Sequence, residues 1–163
     1  MNSMQPDNYS ARRPNSASIG TRAYQMALFV VFESGLQMLA DNPTLYYNNE
    51  DCIKFISSVP VLWDETKVLD AKLGEHLVLA KRNADKWYLG GMTAERKEPL
   101  EMDVVLDFLP EGKTYKLTSF EDGSNADRQA MHYTKNVREV RKRDTVKIRM
   151  VRNGGYAASL EAL

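Results

Sequence analysis

Four carboxylates are the first residues in this sequence that could do chemistry. Cleavage of the bond between two sugars uses a pair of them facing one another across a cleft. The candidates are Glu33, Asp41, Asp64 and Glu65. Glu33 falls in an apolar stretch, where an acid must be paired or must border a cavity. A buried ion pair, or a place at a helix edge, accounts for it. Asp64 and Glu65 are neighbours in Trp63-Asp64-Glu65-Thr66. Adjacent side chains of an extended chain point to opposite faces, so these two do not make an acid–base pair. A structural place at a domain junction suits them better, and no catalytic residue is assigned.

The other reactive types are sparse. Glu121-Asp122-Gly123-Ser124-Asn125-Ala126-Asp127 sets oxygen ligands beside a glycine. A helical calcium loop requires a closing glutamate about twelve residues after its first ligand. That glutamate is absent, and an Asx-type turn between strands is expected. His76 and His132 lie far apart, without ligand spacing to Cys52 or to a carboxylate. No metal ligand is therefore assigned. A lone cysteine cannot form an intrachain disulfide, and Cys52 reads as a half-buried structural thiol. Trp87 and Tyr88 are adjacent in a strand pattern, so one is expected to face in and the other out. With Trp63 they are the candidate carbohydrate contacts. Phosphate-binding glycine loops, nucleophile elbows and zinc motifs are absent.

These residues need elements to position them. The 163 residues give room for one ordinary domain and a short extra piece, and the 43% apolar content is that of a folded chain. Twenty-two basic and 22 acidic residues cancel. That balance gives no footprint for nucleic acid, and none is expected as a partner. The basic cluster over 138–143 contains Glu139 and reads as a solvated hairpin end. Residues 1–19 read as irregular and carry no signal peptide.

Gly20-Thr21 then opens a helix, capped by Thr21 and running to about Ala40, where Asp41-Asn42-Pro43 forbids continuation. Its apolar residues fall nearly all round, from Tyr24 through Leu28, Phe29 and Phe32 to Leu39, yet the stretch is too short to span a membrane. Such a helix needs more partners than this chain offers, either further chain, a binding partner, or self-association through the helix itself. Asn49 caps a short helix over 50–56. After Pro60 the period changes to two. Strands are expected around 77–80, 87–92, 100–106, 115–120, 146–150 and 156–160. Six or seven short strands joined by hairpin turns indicate an antiparallel β-sandwich in the second half, within a mainly β chain.

A family resemblance rests on several strings in order. They are Gly20-Thr21-Arg22-Ala23-Tyr24-Gln25-Met26-Ala27-Leu28, Val30-Val31-Phe32-Glu33-Ser34-Gly35-Leu36-Gln37-Met38-Leu39-Ala40-Asp41-Asn42-Pro43, Trp63-Asp64-Glu65-Thr66, Lys86-Trp87-Tyr88-Leu89-Gly90-Gly91-Met92-Thr93, Asp122 to Arg128, and Gly154-Gly155-Tyr156-Ala157-Ala158. Together they resemble glycoside hydrolase family 97, whose members are exo-acting α-glucosidases and α-galactosidases. The resemblance implies that residues 1–60 form the terminal helical segment of a catalytic (β/α)8 barrel and that 61–163 form the C-terminal β-sandwich bracing it. The rest of the barrel would be the partner of the apolar helix, and an α-linked oligosaccharide would be the ligand. The family's catalytic acids and calcium-binding glutamates lie upstream of the strings matched here. Calcium is thus implied for the parent enzyme and not for this chain, as is export to the periplasm or beyond. A non-catalytic carbohydrate-binding sandwich is the alternative, and it requires an exposed aromatic platform.

Overall fold

The computed structural model describes residues 2–9, 17–39 and 41–163. A short parallel pair, β1 (Ser3–Met4) and β2 (Ser18–Ile19), precedes three helices, α1 (Arg22–Val31), α2 (Pro43–Tyr47) and α3 (Glu50–Ser58). The chain then enters a six-stranded antiparallel sheet. In spatial order it reads β3 (Glu65–Lys72), β4 (His76–Asn83), β5 (Lys86–Thr93), β10 (Gly155–Ala162), β7 (Thr114–Asp122) and β8 (Tyr133–Arg141). A two-stranded sheet, β6 (Leu100–Val105) paired with β9 (Thr145–Met150), covers one of its faces. The mainly β, sandwich architecture expected from the alternation is present. None of the described helices is long and apolar enough to cross a membrane.

Both faces of the large sheet are covered, and each has its own core. Between the two sheets lie Trp87, Leu89, Leu117, Val146, Ile148 and Leu160. On the opposite face, Met26, Val30, Cys52 and Phe55 from the helices meet Leu79, Tyr88 and Phe120 from the strands. Each large apolar side chain so buried contributes about 1.5–3 kcal/mol. The period of two does send Trp87 and Tyr88 to opposite faces, but neither faces out: they are 3% and 2% exposed. An in-and-out reading holds only for a sheet with one wet face.

The first helix departs from expectation in length and in partners. Thr21 caps it as read, its hydroxyl accepting from the Tyr24 N–H at 3.0 Å. The helix nevertheless ends at Val31, and Phe32 is already extended. Tertiary contacts stop it: the Lys81 ammonium donates to the Val31 carbonyl, and Ser34 closes a local turn with Leu36. Its buried face, with Met26, Ala27 and Val30, lies on β5 and β10 rather than waiting for absent partners. Glycines permit that approach. A Cβ on Gly90 would stand 2.9 Å from the Val31 Cγ2, and one on Gly155 only 2.5 Å from the Tyr24 backbone nitrogen.

The short helices also differ from the reading. Asn42 and Pro43 do end one pattern, but they open α2, with the Asn42 side chain accepting from the Leu45 N–H. Asn49 precedes α3 without a side-chain cap bond; its amide donates to the Leu45 carbonyl and its oxygen accepts from Arg22. The irregular reading of residues 1–19 missed β1 and β2, and its stretch over 10–16 lies outside the described residues, as does Ala40.

Candidate functional site

The helix-bearing face gathers most of the residues singled out in the sequence. Strand β4 places Leu77, Leu79 and Lys81 on that face by its alternation, so a lysine lies beneath the C-terminal end of α1. Lys81 is 1% exposed. Its ammonium donates to the Val31 carbonyl at 3.2 Å, pairs with Glu33 Oε1 at 2.9 Å and sits 5.3 Å over the Trp63 ring. A cation at a helix C-terminus meets the negative end of the helix dipole. Glu33 is therefore an ion-pair partner at the helix edge, one of the two places open to it. The pair straddles the surface, since the Glu33 side chain is 64% exposed.

Trp63 stands edge-on to Tyr88, with ring centroids 5.4 Å apart, and the Tyr88 hydroxyl donates to the Ser58 carbonyl at 2.6 Å. Trp87 stacks against Phe108 on the other side of the sheet. Of the three candidate carbohydrate contacts, Trp87 and Tyr88 thus present no ring face to solvent; Trp63 alone is part-exposed. Burial and its bond to Ser58 hold the two ends of Tyr88, and desolvation raises its phenol above the usual tyrosine range.

The remaining acids are committed to other groups. Asp64 and Glu65 converge on one guanidinium: Arg82 Nη1 lies 3.4 Å from Asp64 Oδ2, and its Nε lies 3.2 Å from Glu65 Oε2. Asp64 also accepts from the Ala84 N–H at 2.7 Å, closing the β4–β5 turn. Hydrogen bonds from Lys67 and then Arg82 hold the Glu65 carboxyl below the ordinary range. The Asp41 carboxylate accepts from the Asn2 N–H at 2.8 Å. None of the four faces another across a cleft with room for a sugar.

The loop after β7 is built differently from an Asx turn. Backbone bonds close it, Ala126 N–H to the Gly123 carbonyl and Gln129 N–H to the Asn125 carbonyl. Asp122, buried at the end of β7, accepts from the Val151 N–H at 2.9 Å and the Gly155 N–H at 3.1 Å. The Thr21 hydroxyl also donates to it. Burial pushes the Asp122 carboxyl up to about 6 against these bonds. One carboxylate thus fastens the start of α1 to the β9–β10 turn. Among the described residues no group of three or more His, Cys, Asp or Glu is placed to hold a metal ion. His76 instead neighbours Asp70, 3.4 Å away, and burial raises the Cys52 thiol, keeping it protonated and unreactive.

What is left open on this face is apolar. Beyond α1 the chain runs through Phe32, Leu36 and Met38, which are 58%, 74% and 76% exposed. With Leu28, Phe29 and Gln25 they line a hollow of about 270 Å3. The sequence pointed to this strip through the helix's all-round apolarity. Lys81 was missed, although its parity with Leu77 and Leu79 would have placed it on the helix-facing side.

The fold defines the class, an antiparallel β-sandwich unit with helices laid over its second face. Residues 62–161 match the family described as "Glycosyl-hydrolase 97 C-terminal, oligomerisation", and the chain belongs to glycoside hydrolase family 97, as part of its C-terminal region. It is 38% identical to a retaining alpha-galactosidase of Bacteroides thetaiotaomicron over 94% of its own length and 23% of the relative's. It is 31% identical to a probable retaining alpha-galactosidase of Streptomyces bingchenggensis over 90% of its length and 21% of the relative's. A family 97 enzyme from Pseudoalteromonas, solved with panose, superposes with a TM-score of 0.82 at 33% identity, covering 88% of this chain and 23% of that one. A β-arabinopyranosidase superposes at 0.74 with 26% identity, covering 96% and 24%. The chain thus spans about a quarter of the length of the proteins it matches.

Proposed function

We propose that this chain is the C-terminal part of an exo-acting α-glycosidase, in which the sandwich braces the catalytic barrel. The observation that carries the reading is the open apolar strip of Phe32, Leu36 and Met38 beside the hollow. A barrel packed there would cover it, with residues 1–60 as the barrel's last segment. The two relatives named as retaining alpha-galactosidases favour an α-galactoside as substrate. The panose complex favours an α-glucoside for some members. The same proposal has calcium bound within the barrel and the parent exported, both on family resemblance. The four candidate acids of this chain are engaged by Lys81, Arg82 and backbone N–H groups, so in this proposal the chemistry belongs to the barrel.

The test is hydrolysis of aryl α-galactoside and aryl α-glucoside by the purified chain, with and without calcium. No turnover with either is expected. Calcium-dependent turnover that is lost in Glu33→Gln or Asp64→Asn would overturn the reading, because acids of this chain would then be catalytic.

A further inference from the structure

The large sheet has two edges, and they differ. Strand β3 is blunted by a register shift between Val68 and Asp70, a bulge of the kind that turns an edge away from further pairing. Strand β8 keeps unbroken register with β7 over nine pairs, Thr114–Arg141 to Asp122–Tyr133, and no described strand pairs with its outer side. The phase of its hydrogen bonds is readable. The Gly123 N–H donates to the His132 carbonyl. In an antiparallel ladder the direction then alternates, so the even-numbered residues of β8 bond to β7. The odd-numbered ones, Tyr133, Lys135, Val137, Glu139 and Arg141, aim their N–H and C=O groups outward.

We infer that β8 is a self-pairing edge, through which two copies of this chain join antiparallel about Val137. In that register Val137 meets its own copy, and the outward groups form hydrogen-bonded pairs. Lys135 stands opposite Glu139 twice, and Tyr133 stands opposite Arg141. Val137, 55% exposed in the single chain, is covered. Opposite charges directly across a ladder stabilise it, and like charges weaken it. A slip of two residues one way would set Lys135 against Arg141, and a slip the other way would leave Lys135 opposite Val137, so only the register about Val137 satisfies both Lys135 and Glu139. Lys135 pairs with Asp51 of α3 at 2.6 Å in the single chain, and it would exchange or share that partner on association. The family description speaks of oligomerisation without naming a surface; β8 supplies one that is separate from the strip at α1. The inference does not rest on the barrel reading.

Charge reversal tests it. The 163-residue chain should run as a dimer by light scattering. Glu139→Lys alone and Lys135→Glu alone should each raise the dimer dissociation constant about tenfold or more. An equimolar mixture of the two variants should reassociate as a one-to-one heterodimer in native mass spectrometry, because every charged pair is again opposite. Phe32→Ser should leave the dimer intact. A wild-type monomer at all concentrations, a dimer indifferent to both reversals, a mixture that stays monomeric, or a dimer lost with Phe32→Ser would each overturn it.

Discussion

The two faces of the six-stranded sheet are closed by different means. One is covered by β6 and β9, and its core comes from residues 78–160, largely by alternation along strands. The other is covered by α1 and α3, and its core joins Met26 to Ala157 across most of the chain. The strand-closed face is complete. The helix-closed face is complete only beneath α1 and ends in exposed Phe32, Leu36 and Met38. Its closure depends on a few groups: two glycines that let the helix approach, one buried lysine at its end, and one buried carboxylate at its start. A face made by alternation spreads its stability over many equivalent residues, whereas a docked helix concentrates it.

That contrast can be broken at those groups. The largest effect is expected for Gly155→Val, whose side chain would collide with the backbone of Tyr24 rather than with a movable side chain. It should cost at least about 3 kcal/mol in denaturant unfolding. Hydrogen exchange should rise first in α1, with the β6–β9 ladder still protected. Equal loss of protection on both faces would erase the distinction.

Next comes Asp122, which fastens the helix start. Its carboxyl is raised to about 6 in the folded chain, above its ordinary value of 3.8. The folded state therefore favours the protonated form. Its stabilisation is full below about pH 4 and is lost as pH rises through about 6, by about 3 kcal/mol. Asp122→Asn should flatten that slope in unfolding midpoints measured across the range. A slope unchanged in the variant would remove Asp122 as its source. The smallest effect belongs to Phe32→Ser on the open strip, within about 0.5 kcal/mol. It should lower binding of a hydrophobic dye, and dye binding that stays at the wild-type level would place the exposed apolar surface elsewhere.

How much could be read beforehand follows the same division. The strands with one buried face were legible, because residues such as Val146, Ile148 and Met150 alternate with Lys147 and Arg149. The two edge strands of the large sheet were not. Most of β3 and β8 is exposed on both sides, so no period of two marks them. The basic cluster over 138–143 is accordingly the end of β8 and a turn, with Arg143 at φ 70°, rather than a hairpin end alone. The cap at Thr21 is local chemistry and was legible. The end of α1 was not, because Lys81, fifty residues on, decides it. Of the candidate site, the spacing of Asp64 and Glu65 spoke against an acid–base pair, whereas the burial of Trp87 and Tyr88 follows from a second cover that only the folded chain reveals.

Gly90 and Gly155 carry a consequence for where this protein can be divided. The family model covers residues 62–161, whereas likeness to the Bacteroides relative spans 94% of the chain and so takes in most of what precedes residue 62. Yet α1, forty residues earlier in its start, is seated against those two glycines with almost no space between backbones. Severing the chain at 62 would leave Leu79, Tyr88, Phe120 and Ala157 without their cover. A fragment that keeps this second core must therefore include α1 from its cap at Thr21, well before the stretch that the family model covers.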